Sequence, residues 1–160
     1  MTDDTRLQAL RASRLAVDLS NDECRILSGL VGMHELADGE ILARQGTSDT
    51  RLHIVAGGTL AIVRETGDER VIVTTLTAGE LAGELGFVDG IERHSSLVAQ
   101  GPTRVLCLER DQLESLLKTH PVIVYHVMRA IIRTVHQIQR RLSLQAAELS
   151  NYVYKQHGRY

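Results

Sequence analysis

Gly79-Glu80-Leu81-Ala82-Gly83-Glu84-Leu85-Gly86-Phe87-Val88-Asp89-Gly90-Ile91-Glu92-Arg93-His94-Ser95-Ser96-Leu97-Val98-Ala99 is the stretch from which the fold of this chain is read. Gly83 and Gly86 flank an acid and a leucine. That spacing lets a short helical turn begin with exposed backbone amides, which favour an anion. An arginine follows after a tight loop at Asp89-Gly90. An arginine facing bare amides holds a phosphate through charge-assisted hydrogen bonds worth about 1.5–3 kcal/mol each. A glutamate at the same place repels that phosphate, so Glu84 is expected to accept a hydrogen bond from a neutral group such as a ribose hydroxyl. An anion clamp beside a hydroxyl acceptor is the chemistry of a ribose phosphate.

Outward from this stretch the chain divides into three zones. From about residue 33 to 109 the apolar period is two. Leu60, Ile62 and Arg64 alternate with Ala61 and Val63, and Val71, Val73 and Thr75 with Ile72 and Thr74, with β-branched residues dominant. Glycines punctuate the zone from Gly39 to Gly101, predicting short strands in a barrel or double sheet. Thr66-Gly67-Asp68-Glu69 predicts a hairpin turn, and Gly101-Pro102 another turn. Before this zone, Leu7, Leu10, Leu15 and Val17 give a loosely helical apolar face. Ser20 three residues before Glu23 is a capping box that opens a helix over about 21–30.

The third zone is helical. Residues 111–118 predict a short helix, and Pro121 suits the first turn of the next. Val124, Met128, Ile131, Val135, Ile138 and Leu142 then follow alternating steps of four and three, an a/d seam that continues to Leu149 and Tyr152. A helix over 122–152 spans roughly 45 Å, longer than the domain needs for itself. The expectation is a parallel homodimer through this helix, and the competing reading packs the stripe on its own β domain.

With the order of glycines, the stretch resembles the phosphate-binding cassette of the cyclic-nucleotide-binding domain family, as found in the sensor domain of bacterial cyclic-AMP receptor-type regulators. In that family Gly-Glu-Leu is followed after seven or eight residues by arginine and a small residue; here Gly83-Glu84-Leu85 precedes Arg93. Asp38-Gly39-Glu40-Ile41-Leu42 with Arg44-Gln45-Gly46 is similar to the family's first strands and turn, and Leu52-His53-Ile54-Val55 with Gly57-Gly58-Thr59-Leu60 to the next hairpin. The resemblance runs from about Ser20 to Leu142. It implies a mainly β fold, a double-stranded β-helix or jelly roll, with N-terminal helices (1–32), the β-roll (33–109) and C-terminal helices (110–155) in one domain over 1–160. It implies that Glu84 accepts from the ribose 2′-hydroxyl and Arg93 pairs with the cyclic phosphate, with Gly83, Leu85 and Gly86 supplying shape and amides.

Three positions depart from the family pattern. Ala82 stands where a large apolar residue is frequent, implying looser packing of the cassette. Glu92 replaces a common proline and is a competitor for the Arg93 guanidinium. His94 takes the place of a small residue, where it either donates to the phosphate or crowds the pocket, and Ser95 is a substitute hydroxyl. The base, met in the family by the long helix, falls near Ile138 and Gln139, with Thr134 and Ser143 about a turn away.

The bulk properties exclude other classes. The net charge is −2 with 18 basic and 20 acidic residues, so bulk electrostatics do not point to nucleic acid. Aromatics are 3% of the chain, so Val, Ile, Leu and Ala must build the core. Cys24 and Cys107 lack metal-site spacing and read as reduced thiols. The acidic Met1-Thr2-Asp3-Asp4 start and the lack of a long apolar run predict no signal peptide and no membrane span, hence a cytoplasmic protein. The seven histidines form no His-x-His pair, and neither a nucleophile elbow nor a phosphate loop ending in Gly-Lys-Ser/Thr is present. His126 and His136 flank the seam and read as solvated or interfacial. No winged helix-turn-helix follows the long helix, so DNA binding is not expected. The expectation is a stand-alone, non-enzymatic sensor of cyclic AMP or cyclic GMP, with cyclic AMP favoured. It has no tightly bound cofactor or metal, and it signals to an effector protein. The alternative is a degenerate roll acting as a ligand-free dimerisation or docking module.

Overall fold

The β-branched residues crowding positions 51–66 and 96–109 build two long antiparallel strands, and the other elements are arranged around that pair. The computed structural model describes residues 2–158. Helix α1 (Thr2–Arg11), a 3-10 turn (Arg14–Ala16) and helix α2 (Asn21–Ser28) come first. Strands β1 (Gly32–Leu36), β2 (Ile41–Ala43), β3 (Arg51–Thr66), β4 (Glu69–Leu76) and β5 (Leu81–Ala82) follow. Helix α3 (Glu84–Asp89) leads to strand β6 (Ser96–Glu109), and helices α4 (Arg110–Glu114) and α5 (Pro121–His157) complete the order. All pairings are antiparallel, in the order β1-β6-β3-β4, with β2 joined to β6 and β5 to β3. This is the predicted mainly β jelly roll with flanking helices.

Two expected turns are bends within strands. The register of β3 against β6 shifts between Val55, Gly57 and Thr59, so β3 continues through Gly57-Gly58 and β6 through Gly101-Pro102. Gly58 has φ +79°, and a Cβ there would lie 2.4 Å from the Pro102 carbonyl oxygen. Close backbone approach requires glycine at that point, and the chain kinks without leaving its partner. The hairpin between β3 and β4 turns at Gly67-Asp68 as expected, with Gly67 at φ +63°. The predicted alternation fails on both its strands. On β3 Leu60, Ala61 and Val63 are all buried, because the roll covers both faces. On β4 Val71, Ile72 and Val73 are all exposed, because β4 pairs with β3 alone at the sheet's edge.

The capping box forms as read: Glu23 N donates to Ser20 Oγ at 3.2 Å and Ser20 N to Glu23 Oε1 at 3.0 Å. Helix α2 stops at Ser28 and α4 at Glu114, shorter than the spans expected from periodicity. In the N-terminal segment Leu10 and Leu15 are wholly buried, whereas Val17 is exposed, because the 3-10 turn rotates it off the apolar face.

Helix α5 divides into two parts. Ile123, Val127, Ala130, Ile131 and Thr134 are buried on one face, in a core shared with Leu10, Leu15, Leu27, Leu52, Ile54, Phe87 and Leu106. Val124 and Met128 pack against the same core. The first half of the expected seam therefore belongs to the intramolecular core. Ile138, Leu142, Leu149 and Tyr152 are exposed. Polar links hold the first half: Arg133 Nη1 to Asp18 Oδ2 at 2.6 Å, Arg129 Nε beside the same oxygen at 3.9 Å, Arg14 Nη1 to Gln137 Oε1 at 3.2 Å, and His126 Nδ1 beside Glu23 Oε2 at 3.4 Å. His126 is thus half-buried against α2.

Because Leu15 and Ile131 lie in the shared core, Leu15→Ala or Ile131→Ala lowers the unfolding free energy by about 2–5 kcal/mol. Val17→Ala changes it by about 0.5 kcal/mol or less. Urea unfolding followed by circular dichroism measures all three.

Candidate functional site

Arg93 lies in the loop between α3 and β6 and is pinned on both sides by main-chain bonds to the loop preceding β3. Its N–H donates to Thr47 O at 2.9 Å, and its carbonyl accepts from Gly46 N at 2.8 Å. Ser96 Oγ accepts from Gln45 N at 2.8 Å and adds a third tie between the same loops. The guanidinium is directed inward, with the side chain only 7% exposed.

A buried guanidinium needs a counter-charge, and Asp49 supplies it. Arg93 Nη2 donates to Asp49 Oδ2 at 3.0 Å. Arg51 donates to both oxygens of the same carboxylate, from Nε to Oδ1 at 3.0 Å and from Nη2 to Oδ2 at 3.1 Å, and its backbone N–H also donates to Oδ1 at 2.9 Å. Burial alone would raise the Asp49 carboxyl. The hydrogen bonds from Arg51 and the charge of Arg93 hold it well below the ordinary carboxylate range. One donor is left over: Arg93 Nε is buried without a hydrogen-bond partner among the described residues.

The cassette glycines are set by this cluster. Gly83 caps α3 in the left-handed region, and a Cβ there would stand 3.0 Å from both Arg93 Nη1 and Nη2. A Cβ on Gly86 would come within 2.5 Å of the Asp49 carbonyl oxygen. Helix α3 therefore rests directly on the loop that carries Asp49, and Phe87 anchors it from below in the core shared with α5. Glu84, at the first turn of α3, is partly buried. Burial pushes its carboxyl up, and its own amide and the nearby Arg93 oppose this. The arrangement can take one anion against Arg93 and one hydroxyl donor against Glu84.

The other predicted site residues are placed differently. Leu85 is exposed, His94 lies on an exposed bend and Ser95 is half-buried. Glu92 is exposed, with Oε1 beside Gly46, so the carboxylate that holds Arg93 is Asp49 rather than Glu92. Ala82 is buried on β5, in register with His53 on β3. Thr134 is buried and donates to Ala130 O within its own helix, whereas Ile138, Gln139 and Ser143 are exposed. Sequence reading passed over Asp49, Arg51 and His53. Their period-two spacing against Thr50, Leu52 and Ile54 was the available signal of a strand with one ionisable face. Cys24 and Cys107 are buried free thiols. Among the described residues no group of His, Cys, Asp or Glu is placed to hold a metal, and no helix is long and apolar enough to cross a membrane.

Fold and site together define a jelly-roll domain with a short helix and a buried arginine facing each other across one cassette. Comparison with known proteins is consistent with that class. The cyclic nucleotide-binding domain family matches residues 33–120, more than half of the chain, and the chain belongs to that family. It is 28% identical over 111 residues to the cyclic AMP receptor protein of Thermus thermophilus, covering 69% of this chain and 51% of that one. It is 26% identical over 140 residues to mouse patatin-like phospholipase domain-containing protein 6, covering 84% of this chain and 10% of that protein. The chain thus spans about half the length of the first relative and a tenth of the second. Among solved structures, a cyclic nucleotide-binding domain from Methylobacillus flagellatus superposes with a TM-score of 0.76 at 24% identity, covering 87% of this chain and 79% of that one. The cAMP-bound regulatory domain of Toxoplasma gondii PKA superposes with a TM-score of 0.63 at 21% identity, covering 92% and 50%.

Removing Asp49 strands the Arg93 charge, so Asp49→Ala lowers stability at neutral pH by about 3–5 kcal/mol. A carboxyl held low in the folded state stabilises fully above its unfolded value and loses that contribution as pH falls through the folded value. The stability gap between wild type and Asp49→Ala therefore narrows below about pH 4. Denaturation midpoints measured across that range test it, and a constant gap counts against the pairing.

Proposed function

We propose that this chain is a non-enzymatic cyclic-nucleotide sensor whose cassette at 83–93 takes a cyclic purine mononucleotide. The observation that carries the reading is the Arg93 guanidinium: buried, pinned by its main chain, and left with an unpartnered Nε beside the glycine-capped start of α3. In this reading Arg93 presents its guanidinium donors to the cyclic phosphate, and Glu84 accepts from the ribose 2′-hydroxyl. Gly83, Leu85 and Gly86 line the cassette, with His94 and Ser95 at its rim. The names of relatives that specify a nucleotide favour cyclic AMP over cyclic GMP.

The signal leaves through α3. Phe87 shares a core with Ile123, Val127 and Ile131, so a ligand that favours one seating of α3 biases the seating of α5, by no more than its differential affinity for the two arrangements. Beyond the domain α5 runs on as an exposed helix bearing Ile138, Leu142, Leu149 and Tyr152 at seam spacing. In proteins most helical stability comes from packing an apolar face. Pairing with a second copy buries its apolar positions, and the paired helices carry the signal to an effector protein.

A second reading, a ligand-free docking module, is favoured by one observation: Asp49 already neutralises Arg93. Calorimetric titration separates the two. The sensor binds cyclic AMP, and Arg93→Ala weakens binding by at least about tenfold. No heat at millimolar cyclic AMP or cyclic GMP, or undiminished binding by the variant, rejects the sensor. For assembly, Leu142→Lys with Leu149→Lys gives monomers in light scattering, whereas wild type gives dimers; a monomeric wild type rejects the paired helix.

A further inference from the structure

His53 is the one site residue that the proposed ligand contacts leave without a role. Its side chain is 0% exposed, and neither ring nitrogen has a hydrogen-bond partner among the described residues. Nε2 stands 3.7 Å from Asp49 Oδ2, too far for a hydrogen bond but within a short movement of one. That oxygen is the one to which Arg93 Nη2 and Arg51 Nη2 donate. A buried imidazole with two unmade hydrogen bonds is costly, and its position a short movement from an acceptor that already serves two arginines points to an exchange of partners.

We propose that His53 is a positioning residue that couples phosphate capture to the uptake of one proton. When the anion draws Arg93 toward itself, the imidazole takes a proton from solvent and becomes the partner of Asp49 Oδ2. This inference rests on the nucleotide-sensor reading. The step forms one N–H bond and no other covalent bond. Its driving force is charge balance: Arg51 and Arg93 set two positive charges against the carboxylates of Asp49 and Glu84, and a cyclic phosphodiester adds one fixed negative charge that a protonated His53 offsets.

The surroundings of the ring agree. The ionisable groups around it are Asp49 from the loop before β3, Arg51 from β3, Arg93 from the loop after α3, and Cys107 opposite on β6; β5 presents only Ala82. Burial pushes the Cys107 thiol up, so it stays neutral. Burial also holds the imidazole below its ordinary value, Asp49 opposes this and Arg93 adds to it. The free protein thus carries His53 neutral at neutral pH, and movement of Arg93 toward the ligand removes one of the influences that keep it so.

Proton uptake on binding makes affinity rise as pH falls, by up to about tenfold per pH unit for one proton. The test is calorimetric titration of the full chain with cyclic AMP from about pH 6 to about pH 8, in buffers of low and high ionisation enthalpy. Wild type is expected to show the slope and buffer-dependent heats, and His53→Gln to show neither. A flat wild-type profile with equal heats, or a slope that persists in His53→Gln and so points to Glu84, overturns the proposal. Because His53 is fully buried, nitrogen NMR of the wild-type imidazole gives an answer that needs no variant. At neutral pH the His53 signal moves from neutral to imidazolium on addition of cyclic AMP, and a signal that stays neutral in the bound protein overturns the assignment. Heat without proton uptake removes only the role of His53; no heat at any pH removes the sensor reading itself.

Discussion

A carboxylate taken out of water needs cations, and Asp49 obtains them from both sides of the cassette. Its oxygens are filled by Arg51 from the start of β3 and by Arg93 from a loop forty-four positions along the chain. Much else at this end of the roll follows from that pairing. Arg93 reaches the carboxylate because its main chain is bonded to Gly46 and Thr47. Helix α3 then has to sit against both the guanidinium and the Asp49 backbone, which leaves no room for a Cβ at Gly83 or Gly86. Glycines that look in sequence like a feature for a ligand are first a requirement of packing around a buried ion pair.

The same geometry links the site to the rest of the molecule. The cassette helix is short, and Phe87 fixes it in a core that also holds the N-terminal helices and the first half of α5. Interiors packed at crystal density respond to a shift by moving whole elements. Asp18, Glu23 and Arg14 tie the N-terminal segment to α5 by polar contacts, so any rearrangement of α5 has to exchange partners there as well. The second half of α5 and the edge strand β4 both leave apolar residues exposed.

Much of the fold was legible in the amino-acid order because its signals are local. The Ser20–Glu23 capping box, the Gly67 turn, Pro121 at the first turn of α5 and the β-branched strands each depend on a few adjacent residues and formed as read. Gly57-Gly58 and Gly101-Pro102 were misread as turns, since a glycine that ends a strand and one that bends it within continued pairing are alike until the partner strand is known. The a/d spacing of α5 was real, but the same spacing serves a core face and a coiled-coil face. Ile131 went to the first, while Ile138 and Leu142 were left exposed.

By itself the sequence determined that a β-roll is followed by a long helix, and that Glu84 and Arg93 flank a glycine-bounded cassette. Those features are written in β-branched runs, in helical spacing of apolar residues and in motifs shorter than a dozen residues. Only the tertiary structure decided that Asp49, not the adjacent Glu92, holds Arg93, that His53 is buried beside Asp49 without a hydrogen bond among the described residues, and where α5 leaves the core. These outcomes depend on strand pairing between distant segments, and side-chain partners in a sheet are set by register across strands rather than by neighbourhood along the chain.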